Sequence, residues 1–502
     1  MSENASRRQL LLKNSLYGLF SWLFPVVPSV IAMPIIVKGL GNEMYGLYVV
    51  ISGFSSYFFT IGIGKTAAKY VAEYKAIGET EKISDIVSAT LILSLSLGFV
   101  ATAVVVVLSG TIVTNVLLIQ SELQNTAVTA LYLACLTILV GTLSQIFQSI
   151  LQGLQRFDRF LLLTNLSSLL FSMGSVIAVI LGYGVLTILT LTLAVAGGLC
   201  LLSYWMAKKL LPELRFNLRV SGEAWGLVWR YATSIIVYQL CGSLLLLFER
   251  GWIVRKFGPA ALTYYVVPMT LALYIQMFVG SLVLALFPTV NELLDEKEKL
   301  VTLYQKSTKL ILSLVVFAVI SAVVCGRLFL GIWLNQEFAD LSYWLLVIHV
   351  FTFAMVAMNT IAWQVAESFR LAAVNAVATF IWMFVSIPLM VFLSDRWKTE
   401  GVAFARLIGV LIFIPLIIYV EHRFLDGICW RFWGSIWARI AAAGLFTCLV
   451  EWLLVSRLPS GWLAFVTAVV IGLLVYMAGL LFTGLFEADE KLLFRNAIFK
   501  YK

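Results

Sequence analysis

The sequence predicts an all-α integral membrane protein, and three observations carry that prediction. Of 502 residues, 61% are hydrophobic and only 12% charged, with a mean hydropathy of +0.98. Soluble domains carry about 25% charged residues, so no soluble fold would hide this much apolar surface. The apolar residues also come in continuous runs of roughly 20, the length a helix needs to cross hydrocarbon. A transmembrane barrel would instead show alternating segments of about ten. Finally, Lys and Arg gather in short segments between the runs, as juxtamembrane charge does. The net charge of +9 therefore points to membrane lipids, and no nucleic-acid partner is expected.

In chain order the runs fall near 15–37, 45–64, 84–108, 126–151, 160–182, 185–207, 227–248 and 262–287, then 308–333, 342–365, 371–393, 402–420, 433–455 and 461–485, about fourteen crossings. The first follows Arg7, Arg8 and Lys13 and is too long for the core of a cleaved signal peptide. It carries Pro25, Pro28 and Pro34, each of which removes a backbone hydrogen bond, and reads as a bending gate. With the N-terminus inside, most Lys and Arg face the cytoplasm, including Lys65, Lys69, Lys208, Lys209, Arg215, Arg370 and the tail from Lys491. The outer segments keep only Lys38, Arg250, Arg255, Lys256, Arg327, Arg396, Lys398 and Arg457. The positive-inside bias thus places both termini in the cytoplasm.

The second run ends in TIGIGKTAAKYVAEYK, residues 60–75, which superficially ends like a phosphate-binding loop. A Walker loop needs a glycine where Phe59 stands, and a strand before it rather than an apolar helix. Lys65, Lys69 and Glu73 instead share one helical face, suited to anionic headgroups or to the inner mouth of a path for an anionic substrate. Gln145, Gln148, Gln152 and Gln155 form a polar stripe that could bond sugar hydroxyls. The six cysteines form no CxxC pair, and His349 and His422 are the only histidines, so neither a metal nor any other cofactor is expected.

An internal repeat organises the chain. IIVKGLGNEMYGLYVV at 35–50 matches WIVRKFGPAALTYYVV at 252–267, an offset of 217 that also pairs Gly184-Val185 with Gly401-Val402. Six runs separate the copies, so both enter the membrane in the same direction. That predicts two six-helix lobes, 1–207 and 225–424, related by a pseudo-two-fold axis along the membrane normal. A linker at 208–224 joins them, and two extra helices with a cytoplasmic tail occupy 425–502.

GLGNEMYGLY, IGIGKTAAKYVAEY and LTYYVVPMTLALYIQMFVGSLVLALFPTVNEL together resemble the polysaccharide-export or O-antigen flippases of the multidrug/oligosaccharidyl-lipid/polysaccharide exporter superfamily. The resemblance covers roughly residues 10–425 and implies a monomeric transporter in a bacterial inner membrane. It further implies a polyprenyl-diphosphate-linked oligosaccharide as substrate, flipped from inner to outer leaflet through a cationic central cavity, and a polysaccharide polymerase as partner. The extra hairpin is similar to that of lipid II flippases, which leaves lipid II as an alternative substrate. A multidrug exporter is a further alternative, against which the basic excess argues. Short outer loops with few acidic residues argue against an enzyme.

Ionisable groups inside spans cost about 2.5–3.5 kcal/mol on insertion scales and mark function or pairing. Arg250 and Arg406 are expected to bind the diphosphate through bidentate bonds. Lys65, Lys69, Gln145, Gln148 and Gln152 complete the expected substrate set, and Glu249 and His349 are the candidates for ion coupling. Arg230, Glu367 and Glu451 are read as snorkelling or helix-pairing groups.

Overall fold

The computed structural model describes residues 24–59, 63–283, 290, 293, 296–369, 371–425 and 427–486. Arg7, Arg8, Lys13, the start of the first run, Gly62 of the GIGKT stretch, Arg370 and the tail from Lys491 lie outside them. The described residues form helices and no strand. The helices are α1 Phe24–Leu40, α2 Asn42–Phe59, α3 Ile63–Ala76, α4 Thr80–Thr111, α5 Ser121–Gly153, α6 Phe157–Ile180, α7 Val185–Leu210 and α8 Gly222–Phe257. Then come α9 Pro259–Val283, α10 Lys297–Trp333, α11 Gln336–Ser368, α12 Ala372–Val410, α13 Phe413–Phe424, α14 Trp430–Arg457 and α15 Trp462–Phe482.

Among the described residues, ten helices are long and apolar enough to cross a membrane, or eleven if the bent pair α1–α2 forms one span. The expected fourteen crossings are not established by that count. One reason is visible in the run Ala373–Phe424, counted once at 52 residues. At about 1.5 Å per residue it would be far longer than a hydrocarbon core of about 30 Å. Trp397 and Lys398 leave helical geometry, and the chain folds back on itself there. A Cβ on Gly401 would lie 2.2 Å from the Leu393 carbonyl oxygen, and Trp382 Nε1 donates to the Arg406 carbonyl at 3.3 Å. The two arms match the separate runs 371–393 and 402–420.

The helices gather into two compact units, Met1–Val266 with Ala372–Gly409, and Val267–Leu371 with Val410–Lys502. In the first unit, α5 packs along α4 and α7, and α3 lies against the last turns of α5. There a Cβ on Gly153 would meet the Ala68 carbonyl oxygen at 2.6 Å, so only glycine permits the approach. The 208–224 linker is stapled to the first turns of α4. Ser84 and Ser88 hydroxyls accept from the Arg215 and Asn217 amides at 3.1 and 3.0 Å, and Asp85 accepts from Ser221 at 3.2 Å. An extended segment without a sheet partner thereby satisfies its backbone donors.

The repeat is visible in the backbone. α1 ends at Gly41 (φ +78) and α8 at Gly258 (φ +86), the same position in each copy. The left-handed conformation that turns the chain is readily reached by glycine. At the first corner the axis bends by 120°, past Pro34 rather than at a proline. α1 stays helical through Pro28 and Pro34, with the Pro25 carbonyl accepting from Ser29 at 2.8 Å and Ser168 at 3.2 Å.

In the second unit, α10 packs along α11, and the hairpin α14–α15 packs on α10. Two buried carboxylates tie that hairpin down. Glu421 of α13 accepts from Tyr304 Oη at 2.9 Å and from Trp433 Nε1 at 2.9 and 3.0 Å. Glu451 of α14 accepts from Ser321 Oγ at 2.7 Å and lies 3.7 Å from Cys325 Sγ. A Cβ on Gly472 of α15 would sit 2.3 Å from Glu451 Oε1.

Candidate functional site

Two ionisable groups that the apolar runs would penalise meet in the first unit. Glu249, near the end of α8, has no solvent exposure, and Arg406, in the returning arm of α12, is 3% exposed. They form an ion pair through Arg406 Nη1 and Glu249 Oε2. Tyr265, early in α9, donates its hydroxyl to the other carboxylate oxygen. The Arg406 guanidinium carbon stands 5.4 Å from the centroid of the Trp382 ring, within cation–π range. Stripping water from two charges costs several kcal/mol each, and mutual attraction offsets this only where further bonds satisfy the remaining atoms. The tyrosine hydroxyl satisfies the second carboxylate oxygen, and the indole ring faces the guanidinium.

One residue further along α8 the helical rotation turns the side chain away. Arg250 Nη1 therefore donates to the Val49 carbonyl of α2 at 3.2 Å. Toward the end of the helix, Arg255 donates to the Asn115 and Val116 carbonyls at 2.6 and 3.1 Å. Lys256 pairs with Asp395 and bonds Ser394 at 3.0 Å, and Trp252 Nε1 bonds the same serine at 3.0 Å. The cluster of basic residues at 250–256 is thus spent largely on tying α8 to α2, to the π-helical turn Ile112–Val116 and to the α12 arm.

Lys65 and Lys69 project from the exposed face of α3, while Ile63, Tyr70, Val71 and Tyr74 bury the opposite one. Lys69 Nζ lies 4.8 and 4.3 Å from the ring centroids of Tyr70 and Tyr231. Burial pushes the Tyr70 and Tyr74 phenols above their ordinary range, so both stay neutral, Tyr70 beside Lys69 and Tyr74 beside Lys82. Gln145, Gln148 and Gln152 are half-buried on α5. Gln148 Nε2 donates to Ser144 at 2.9 Å, and a Cβ on Gly64 would lie 3.3 Å from Gln145 Cγ. The structure therefore brings the glutamine stripe beside the helix that carries the two lysines. His349 is fully buried on α11 in the second unit.

The model of the family described as "Polysaccharide biosynthesis protein" matches residues 41–343, more than half of the chain. The chain belongs to this family. A Shigella flexneri protein provisionally named an O-antigen transporter is 21% identical over 427 residues, which is 82% of this chain and 98% of its own length. Two solved structures share the fold of this polysaccharide biosynthesis protein. One is the lipid II flippase MurJ in an inward closed conformation, with a TM-score of 0.67 and 12% identity over 94% of this chain and 97% of its own. The other is an inward-facing multidrug resistance transporter of the MATE family, with a TM-score of 0.68 and 17% identity over 81% of this chain and 98% of its own.

Sequence reasoning singled out both members of the Glu249–Arg406 pair but not their union, since 157 positions separate them. It missed Tyr265 and Trp382. Tyr265 carried a signal, because it stands opposite Tyr48 in the repeat. Nothing in the local sequence marks Trp382. Of the groups read as pairing or snorkelling, Arg230 is exposed, Glu367 accepts from Trp363 Nε1 at 2.9 Å, and Glu451 is hydrogen-bonded.

Proposed function

We propose that this polysaccharide biosynthesis protein flips a polyprenyl-diphosphate-linked oligosaccharide from the inner to the outer leaflet of a bacterial inner membrane. The observation that carries this reading is the buried charge cluster. Glu249 and Arg406 are buried together, and with half-buried Arg250 one residue along α8 the three sum to a single positive charge, where low dielectric strengthens attraction for an anion. A diphosphate is matched by guanidinium forks in geometry and in charge. Lys65 and Lys69 draw the headgroup toward the inner mouth, and Gln145, Gln148 and Gln152 bond the sugar hydroxyls. Glu249 and His349 are the groups through which an ion gradient would act.

In this reading the moving bodies are the lobes 1–207 and 225–424, the linker 208–224 stays between them, and both termini face the cytoplasm. The protein works as a monomer, hands its product to a polysaccharide polymerase and catalyses no covalent chemistry. The test is flipping of a fluorescent lipid-linked oligosaccharide in proteoliposomes. Wild-type protein exposes the label to an external quencher, and Arg250→Gln and Arg406→Gln slow the exposure. Wild-type rates in both variants, at equal expression, would overturn the assignment of the two arginines.

Lipid II is the second reading for the cargo. It is favoured by one observation, the extent of the likeness to the lipid II flippase, which covers 94% of the chain. Lipid II and a lipid-linked oligosaccharide offered to the same vesicles separate the two.

A further inference from the structure

The two copies of the repeat touch each other, and they do so symmetrically. Thr263 Oγ1 donates to the Asn42 carbonyl at 2.6 Å. At the 217-residue offset Thr263 corresponds to Gly46, and Asn42 corresponds to Pro259. The reciprocal contact is also present, since a Cβ on Gly46 would lie 1.8 Å from the Pro259 carbonyl oxygen. Residue i meets j′ while j meets i′, the signature of a two-fold interface of the kind isologous dimers make. Asn42 Nδ2 adds a bond to Tyr264 Oη at 2.8 Å. Gly46 and Pro259 are buried and Thr263 fully so, while Asn42 and Tyr264 are half-buried.

This corner adjoins the charge cluster through consecutive residues. Tyr264 bonds Asn42 across the corner, and Tyr265 bonds Glu249 within the cluster. Both sit in the first two turns of α9, next to the break at Gly258. Tyr265 thereby links the Glu249 carboxylate to the stretch of α9 that carries the Thr263 and Tyr264 contacts.

We propose that the paired corner is a latch closing one end of the transport path, released through Tyr264–Tyr265 when Arg406 exchanges Glu249 for an anionic diphosphate headgroup. The latch rests on the headgroup site proposed above, and in the topology proposed there it closes the outer end. The steric fit at Gly46 holds only while the two backbones are in contact, and the Arg250 and Arg255 bonds to α2 and the 112–116 turn part with it. The population of the open state then follows the difference in headgroup affinity between open and closed forms.

The experiment uses the full chain in nanodiscs, with Met44→Cys and Ala261→Cys, which lie between the paired positions and leave the Asn42 and Thr263 bonds intact, joined by a short bifunctional thiol reagent and identified by mass. Geranyl diphosphate is the probe, and bound probe and cross-link yield are read in the same sample. The expected result is a yield about threefold lower with probe bound, because the ligand favours the open form. Adding Tyr265→Phe is expected to leave the probe bound and the yield unchanged by it. Single Ala261→Cys provides a second readout, its thiol becoming faster to label when probe binds. Bound probe with unchanged yield and labelling overturns the latch while the headgroup site stands. Absence of bound probe overturns the headgroup site and the latch's trigger together. A full response in the Tyr265→Phe background overturns the tyrosine link.

Discussion

The two units bury carboxylates in opposite ways. In the first, Glu249 is held by a guanidinium and a phenol, so a full positive charge is buried with it. In the second, Glu421 and Glu451 accept hydrogen bonds from neutral donors, a tyrosine, a tryptophan and a serine. A carboxylate paired with arginine can be traded for another anion, because the guanidinium keeps its charge and its fork whichever partner it holds. A carboxylate among neutral donors offers an incoming anion nothing. Its use is to join helices where hydrocarbon provides no hydrophobic drive for association. The first arrangement is suited to exchange and the second to docking the α14–α15 hairpin.

Substitutions break or sharpen that contrast, and the largest effect belongs to the ion pair. Arg406→Gln strands a buried carboxylate and is expected to cost about 3–5 kcal/mol in thermal unfolding, with loss of diphosphate binding. The double substitution with Glu249→Gln should recover most of the stability and none of the binding. Recovery of both would show that the pair is structural, like its counterparts in the second unit.

Gly472→Ala comes next, since its methyl would collide with the Glu451 carboxylate. Overpacking of this kind costs about 1–3 kcal/mol and should expose the α14–α15 turn to protease while leaving diphosphate binding intact. Trp433→Phe removes the indole donor shared by both Glu421 oxygens and should lower stability by about 1 kcal/mol. Ser321→Ala, at about 0.6 kcal/mol, is the smallest. If either of the last two abolished diphosphate binding in a direct binding assay, the division between exchange and docking would fall.

Much of this was legible beforehand. The helical runs, the fold-back between 393 and 402 and the repeat all follow from hydropathy and spacing, because each is a local or periodic property of the chain. Glu249 and Arg406 were visible as ionisable groups that hydrocarbon penalises. Their pairing was not, and neither was the spending of Arg255 and Lys256 on carbonyls and Asp395. A charge in an apolar run announces that it needs a partner without saying which. Lys65 and Lys69 stand on the exposed face of α3, while the adjacency of α3 and α5 depended on the small residues Gly64 and Gly153.

By itself the sequence determined that this chain lives in a membrane as a bundle of helices, that two stretches share one design, and which few charges the bilayer would tolerate only for a reason. Those are consequences of solvent and of periodicity, and they hold wherever the helices end up. Tertiary structure decided which partner each buried charge received and that the repeated corners meet face to face. Contacts between positions hundreds of residues apart are fixed by close packing, which has no signature in any local window of the chain.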